Sequence, residues 1–129
     1  MIIDEEVSDP LYDGIIRQEN KMKKKVLVLL APGFEEIESI TVVDILRRAG
    51  IEVVMGGVVE GVIEGSRGVR LLADLSIDKV SGSDFDMIVL PGGMEGTNNL
   101  GKDERVRVLL EDAIQKKKSI AAICAAPTL

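Results

Sequence analysis

The segment VLVLLAPG, residues 26–33, decides the fold that this sequence specifies. Its first six residues form an unbroken apolar run between three lysines and a Pro-Gly pair. An uninterrupted run of this length, in place of an alternating one, is typical of a strand that is buried on both faces of a parallel sheet. We therefore predict that Val26 to Ala31 form the central strand of a sheet.

A helix and a second strand are predicted next along the chain. From Glu35 onwards apolar residues recur every three positions, acids open the segment, and Arg47 and Arg48 precede Gly50. This pattern predicts an amphipathic helix that ends at the glycine. Residues 51–55 are predicted to form the following strand, and the distance between the two strands suits a right-handed βαβ crossover.

The rest of the chain continues this alternation of strands and helices. The predicted elements are a small hairpin within the glycine-rich residues 56–74, a capped turn at 76–80, a buried strand at 87–90, a helix at 103–118 and a last strand at 119–123. Strands that alternate with helices indicate an open, mostly parallel, doubly wound sheet. The predicted fold class is therefore α/β, a flavodoxin-like α/β/α sandwich.

Length and composition limit the number of domains and the kinds of partner. A chain of 129 residues, 46% of them hydrophobic, suffices for one domain with a single core. Residues 1–21 carry six acids against two bases, so we expect an appended acidic arm there and a domain over 22–129. A pI near 4.7 and the absence of Trp argue against nucleic acid, which requires basic patches.

The cysteine and histidine content bears on compartment and cofactors. One cysteine cannot form an intrachain disulfide, and the N-terminus lacks the pattern of a secretory signal, so we expect a cytoplasmic protein. No apolar run approaches the ~20 residues that span a bilayer, so no membrane role is expected. The chain contains no histidine. We expect neither a metal nor a cofactor.

Cys124 follows the last predicted strand and is the first candidate for chemistry. Ala122 precedes it by two positions and Ala126 follows it by two, and a nucleophile elbow requires small residues there because its turn is sharp. At such a turn the N–H groups of the next helix favour the thiolate. A small buried hydrophobe is the other interpretation, and spacing alone leaves the two about equal.

Two other strand ends carry candidates that can converge with Cys124 on one crevice. Gly92 and Gly93 follow a strand and can offer backbone N–H groups to a ligand oxygen, although an ordinary tight turn explains them as well. The acids Glu35, Glu36 and Glu38 suit a helix N-terminus. Glu38, one turn further in, can point over the strand ends, where a carboxyl group beside a thiolate tends to keep its proton.

Four blocks of this sequence together resemble the DJ-1/PfpI (ThiJ) family, whose fold is that of the class I glutamine amidotransferases, and in particular its DJ-1-like branch. They are KVLVLLAPGFEEIESITVVDILRRAGIEV, GSRGV, DMIVLPGG and IAAICAAPT, in that order. The resemblance implies that Cys124 is the elbow nucleophile and Glu38 its protonated carboxyl partner. It further implies that Gly92, Gly93 and Ala125 lie at the oxyanion or substrate site.

The resemblance also implies a homodimer, in which Arg67 of GSRGV reaches the dyad-related site; a solvated hairpin residue is the plainer interpretation of that arginine. In the PfpI branch a histidine follows the cysteine, whereas this sequence has Ala125. The DJ-1 branch takes its histidine from later in the chain, and this sequence ends five residues beyond Cys124. Either the sequence is a fragment, or a second polypeptide completes the fold, or the site is incomplete.

Three functions remain open at this stage. The first is a glyoxalase or deglycase type of enzyme, in which Cys124 attacks a small reactive aldehyde or its protein adduct. The second is a redox-sensing or protective, chaperone-like protein that acts through oxidation of the same cysteine in oxidative stress. The third, a flavodoxin-like binder without catalysis, is weaker because the sequence has no recognisable phosphate loop.

Overall fold

The computed structural model describes residues 10–11, 14–15 and 23–129, so the predicted arm at 1–21 lies mostly outside the described residues. Seven strands occur in the described part: β1 (Lys25–Leu30), β2 (Glu52–Gly57), β3 (Val62–Glu64), β4 (Arg70–Leu72), β5 (Leu75–Ser76), β6 (Met87–Leu90) and β7 (Ser119–Ala122). Five of them form a parallel sheet in the order β5–β2–β1–β6–β7. The strands β3 and β4 form a separate antiparallel hairpin.

Three α-helices connect the strands: α1 (Glu36–Arg48), α2 (Met94–Lys102) and α3 (Glu104–Gln115). Short 3-10 turns cover Ile77–Lys79, Gly82–Asp84 and Ala126–Thr128. Among the described helices, none combines the length and the hydropathy that crossing a bilayer requires.

The strand β1 is the centre of the sheet, as predicted, and its side chains alternate between two cores. Leu27 and Leu29 pack in a cluster with the buried residues of α3, whereas Val28 and Leu30 pack with Val43 of α1. The helices therefore cover opposite faces of the sheet. This arrangement confirms the predicted α/β, doubly wound architecture.

The boundaries of the predicted elements shift by a few residues, and each shift has a local cause. The helix predicted to reach residue 118 ends at Gln115, because Lys117 adopts a positive φ of 53° that a helix cannot contain. The hairpin expected within 56–74 forms, and Ser76 caps the short turn after it by accepting a hydrogen bond from Asp78 N–H.

The helix α2 is an element that the sequence pattern did not predict. Its sequence, MEGTNNLGK, contains two glycines and two asparagines, all poor helix formers. It forms against the loop after β1: a side chain at Gly96 would lie 2.9 Å from Gly33 O, and Asn99 donates a hydrogen bond to the carbonyl of Pro32. Contacts from elsewhere in the fold therefore outweigh a weak local preference.

The start of α3 is anchored by a group of charged residues. Asp103 caps the helix by accepting a hydrogen bond from Arg105 N–H at 2.9 Å. The Arg105 guanidinium donates to Asp103, to Asp78 and to the carbonyl of Val58, which follows β2. This group links α3 to two other segments of the chain, on the face of the sheet where Leu27 packs.

Candidate active site

Cys124 is the second residue after the end of β7, and it is exposed. Its φ is +60°, a left-handed value that few residues other than glycine adopt. Such conformations persist only where the surrounding structure enforces them, and they concentrate at functional sites. Ala125 follows with ordinary helical angles, and Ala126 begins one 3-10 turn. The backbone thus reverses sharply at the cysteine, which is the geometry of a nucleophile elbow.

Gly92 brings the Glu38 carboxyl and Cys124 together. Its N–H donates a hydrogen bond to Glu38 Oε2 at 2.9 Å, across 54 positions of sequence. A side chain on Gly92 would overlap Glu38 Oε2 and would lie 2.7 Å from Cys124 Cβ. Both side chains therefore lie against the same face of this buried glycine. The Glu38 carboxyl and the Cβ of Cys124 thus lie against one glycine at the carboxyl end of the sheet.

The three acids at the start of α1 have three different contacts. Glu35 caps the helix by accepting a hydrogen bond from Glu38 N–H at 2.8 Å. Glu36 accepts hydrogen bonds from the turn of the hairpin, among them one from Arg67 N–H at 2.6 Å. Among the three carboxyl side chains, only that of Glu38 accepts a hydrogen bond from Gly92. The predicted acidic cluster is therefore divided among a helix cap, a hairpin contact and the cysteine site.

Gly93 connects the site to the loop after β1. Its φ is +93°, and a side chain there would lie 2.5 Å from Gly33 O and 2.9 Å from Glu35 N. Glu35 N–H also donates a hydrogen bond to the carbonyl of Gly92 at 3.0 Å. Close backbone contact at this point requires glycine both for its φ and for the space. Gly93 thus fixes how the end of β6 meets the start of α1.

The structure brings some of the predicted site residues together and leaves one apart. Glu38 and Cys124 both lie against Gly92, and Ala125 is the next residue along the chain. The N–H of Gly92 is engaged by Glu38, so it is not free to bind a ligand oxygen in this arrangement. Arg67 lies exposed on the hairpin turn, where its backbone is held by Glu36.

An apolar groove is lined in part by Ile123, the residue before Cys124. It has a volume of about 380 Å³ and runs between α1 and β7, lined by Val42, Ile45, Leu46, Ala121 and Ile123 among others. Among the described residues, no group of three or more His, Cys, Asp or Glu side chains is arranged to hold a metal ion.

Sequence reasoning missed the contact between Glu36 and the hairpin. Gly65 was the available signal, because a side chain there would lie 2.5 Å from Glu36 Oε1. A glycine of this kind indicates close approach of another group, but the sequence does not say which group approaches.

These features define the class of protein: a doubly wound α/β domain with an exposed cysteine at positive φ after a parallel strand and a carboxyl group near it. Within that class, the chain belongs to the DJ-1/PfpI family, whose sequence profile matches residues 24–129.

Three relatives illustrate the similarity. Protein dj-1beta of Drosophila melanogaster is 47% identical over 109 residues, which cover 84% of this chain and 58% of that protein; its crystal structure superposes with a TM-score of 0.79, over 83% of this chain and 58% of that one. The glutathione-independent glyoxalase DJR-1.2 of Caenorhabditis elegans is 34% identical, over 83% of this chain and 58% of that protein.

A structure described as oxidized Toxoplasma gondii DJ-1 is 41% identical with a TM-score of 0.78, over 81% of this chain and 57% of that chain. This chain therefore spans a little over half the length of each relative that it matches here.

Proposed function

We propose that Cys124 is the nucleophile of a glyoxalase or deglycase type of site that acts on small reactive aldehydes or on their protein adducts. The observation that carries the proposal is the exposed cysteine at φ +60°, beside the Glu38 carboxyl. The C. elegans relative, described as a glutathione-independent glyoxalase, supports it. A glyoxalase that does not use the thiol of glutathione requires another nucleophile, and a cysteine of the protein can supply it.

The proposed reaction begins with the thiolate of Cys124. Its sulfur forms a bond to the aldehyde carbon, the carbonyl π bond breaks, and the oxygen gains a proton, which gives a hemithioacetal. Over the whole cycle one water is added, the aldehyde carbon is oxidised and the adjacent ketone carbon is reduced. Methylglyoxal therefore leaves as lactate, and the thiol is regenerated.

Neighbouring groups have supporting roles in this proposal. Glu38 is proposed to donate a hydrogen bond from its carboxyl group to the sulfur of Cys124, since Glu38 Oε2 and Cys124 Cβ lie against the same face of Gly92. Backbone N–H groups of Gly93 and Ala125 are candidates to bind the oxygen that gains negative charge during attack. Arg67 is proposed to reach the equivalent site of a second copy. No cofactor or metal takes part in this chemistry.

Replacement of the cysteine tests the enzymatic proposal. In the full-length protein, Cys124→Ala is expected to abolish turnover of methylglyoxal, measured as lactate formed, because no other thiol exists in residues 1–129. Ser119→Ala, at the opposite end of β7, is the matched control and is expected to retain activity. Unchanged turnover in Cys124→Ala would rule the proposal out.

A redox-sensing or protective role is the second candidate, and a specific observation favours it. The thiol is exposed, and a relative of 41% identity is described as an oxidized DJ-1. An accessible thiolate can stop reversibly at sulfenic acid or persist as sulfinic acid. In this role the cysteine reports or absorbs oxidative stress and turns over no substrate.

Mass spectrometry after mild peroxide treatment tests the redox role. We expect Cys124 to gain one or two oxygen atoms before Met94 does, although Met94 is 70% exposed. Met94 is thus an internal control: its sulfur is accessible to peroxide but cannot form a thiolate. Oxygen on the methionine with none on the cysteine would refute the redox role.

The proposal includes a homodimer with α1 at its interface. Three isoleucines of this helix are exposed: Ile37 by 73%, Ile45 by 58% and Ile40 by 40%. Several exposed apolar side chains on one helix are typical of a surface that binds another chain. Light scattering of the purified protein checks the dimer, and a monomer mass at micromolar concentration would contradict it.

The proposal also covers the domain boundaries, the cellular location and the binding partners of the chain. Residues 22–129 form the family domain, and residues 1–21 are an extension outside it. The cytoplasm is the proposed location, since a free reactive thiol is kept reduced there. The partners are a small carbonyl compound or a glycated protein and a second copy of the chain. Neither nucleic acid nor a membrane is among them.

A further inference from the structure

A second cavity continues the apolar groove between α1 and β7 towards the amino ends of the strands. It has a volume of about 620 Å³, and it shares Leu46 and Met87 with the groove described above. Its other apolar lining residues are Val26 and Ile51. The two cavities therefore form one continuous surface, which we call the α1–β7 groove.

The end of the α1–β7 groove at the start of the strands is bordered by four lysines. They are Lys24, which precedes β1, and Lys116, Lys117 and Lys118, which lie between α3 and β7. Among the described residues that line this end, Asp86 is the only acid, and it pairs with Lys24 at 3.5 Å. Lys117 makes no ion pair with any residue that the structure describes. This end of the groove therefore has a positive potential.

The acidic arm, residues 1–21, has the opposite charge and is joined to this end of the groove. It contains six acids and two bases, and it continues through Met22 and Lys23 into Lys24, which lines the groove. A short tether keeps two such segments at a high effective concentration, so their attraction does not depend on the concentration of the protein. The sequence thus connects an acidic segment directly to a basic surface.

The acidic arm also carries exposed apolar side chains. Its described residues, 10–11 and 14–15, are helical. Leu11 is 74% exposed and Ile15 is 48% exposed, and residues four positions apart lie on the same face of a helix. Ile15 is nine positions from Lys24, and a connection of that length spans up to about 30 Å. The four residues of β7 extend over only about 13 Å, so this apolar face can reach either part of the α1–β7 groove.

We propose that the acidic arm binds in the α1–β7 groove of its own chain. The face with Leu11 and Ile15 packs on the apolar lining, and acids of the arm pair with the lysines between α3 and β7. Removal of two exposed apolar surfaces from water and attraction between opposite charges both favour this contact. Ile37 and Ile40 line neither part of the groove, so α1 keeps an exposed apolar surface for the proposed dimer. The contact does not require the aldehyde chemistry proposed for Cys124.

Carbodiimide crosslinking of the full chain tests the contact. The reagent joins a carboxyl group to a lysine amine only where the two touch, and peptide mass spectrometry locates each new amide bond. Lys79 and Lys102 are reference lysines, because they are exposed and line neither part of the groove. We expect crosslinks from the arm to Lys116, Lys117 or Lys118 to outnumber those to the reference lysines at least about tenfold, because a tethered contact is highly populated. An even distribution over the five lysines would overturn the proposal.

Isotope labelling distinguishes the chain's own arm from the arm of a second copy. Equal amounts of labelled and unlabelled chains are unfolded together, refolded and then crosslinked. A contact within one chain gives crosslinked peptides whose two parts carry the same label, and we expect such pairs to predominate. Mixed-label pairs as frequent as same-label pairs would show that arms are exchanged between two copies, and binding within one chain would be wrong.

Substitutions in the arm separate packing in the groove from proximity alone. Leu11→Asn combined with Ile15→Asn removes the apolar face and leaves the charge of the arm unchanged. We expect this variant to form about fivefold fewer crosslinks to the lysines at 116–118, because the apolar contact is lost. Ser8→Asn combined with Gln18→Asn, which changes two polar residues of the same arm, is the matched control and is expected to retain the crosslinks. Crosslinks that survive loss of the apolar face would show that charge and the tether alone bring the arm near the lysines, and would overturn the proposed packing.

Discussion

Two parallel strands of the same sheet, β1 and β7, provide opposite environments for the residues that follow them. The strand β1 is paired on both sides, with β2 and β6, and Leu27, Val28, Leu29 and Leu30 are 0% exposed. Within the described residues β7 pairs with β6 alone, and Ile120 is 37% exposed. Glu38 belongs to the helix after β1, and Cys124 follows β7.

The two halves of the candidate site therefore differ in how they are supported. Its carboxyl half is fixed by the core, through Gly92 N–H and the backbone contacts of Gly93. Its thiol half follows the most exposed of the longer strands, so the position of Cys124 depends strongly on its contact with Gly92. In the proposed mechanism, the half packed on the core holds the group that assists, and the less covered half carries the group that reacts.

The largest expected effect is on the free energy of unfolding, when a side chain of β1 is truncated and compared with one of β7. Leu27→Ala removes a fully buried side chain between packed layers, and we expect it to lower the free energy of unfolding of the 129-residue chain by about 2–5 kcal/mol. Ile120→Ala, the matched change on β7, is expected to cost about 1 kcal/mol because that side chain is partly exposed already. Urea denaturation measures the loss of unfolding free energy in both variants. Equal losses would contradict the proposed difference in support between β1 and β7.

The next effect concerns the glycine that joins the two halves. Gly92→Ala places a methyl group against Glu38 Oε2 and Cys124 Cβ, so we expect a cost of about 1–3 kcal/mol in unfolding free energy. The rate of Cys124 alkylation by iodoacetamide should also fall, since the methyl group occupies space beside the thiol.

Gly101→Ala in α2 is the control for Gly92→Ala. A side chain there meets only the flexible end of Leu129, at 3.0 Å, and alanine favours a helix. We expect this control to retain both stability and the alkylation rate. If Gly92→Ala behaves like the control, the contact between the two halves is not what holds Cys124.

The sheet could be predicted from the sequence because its strands are marked by strong local patterns. The apolar run that becomes β1 needs two covered faces, and the run from Met87 to Leu90 forms β6 with the predicted ends. The helix α2 could not be predicted, because its stability comes from packing of Gly96 and Asn99 on the loop after β1. The helix propensities of residues 94–102 carry no information about that packing contact.

The candidate site could be predicted from the sequence only in part. Small residues around Cys124 indicated a sharp turn, and the positive φ of the cysteine agrees with one. The separate contacts of Glu35, Glu36 and Glu38 could not be assigned, since neighbouring acids at a helix start are equivalent until the partners of each are known. Those partners, Gly92 and the hairpin turn, come from distant parts of the chain.

The smallest effect tests how α3 is held on the face where Leu27 packs. Asp103→Ala removes the cap of α3 and a partner of Arg105, and we expect a loss of about 1 kcal/mol at pH 7. The hydrogen bond from the Arg105 side chain lowers the pKa of Asp103 below its usual value of 3.8. The stabilisation is therefore complete above about pH 4 and is lost as the pH falls through the lower, folded-state pKa.

Urea denaturation at pH 7 and at pH 3 checks this dependence on Asp103. The difference in unfolding free energy between the unsubstituted chain and Asp103→Ala should narrow at pH 3, because the carboxylate is then partly protonated in both folded and unfolded states. Asp44→Ala is the control, since its pair with Arg48 is exposed and contributes less than about 0.5 kcal/mol. A difference that stays constant between the two pH values would show that Asp103 acts by shape and not by charge, so that α3 would be anchored without the Arg105 ion pairs.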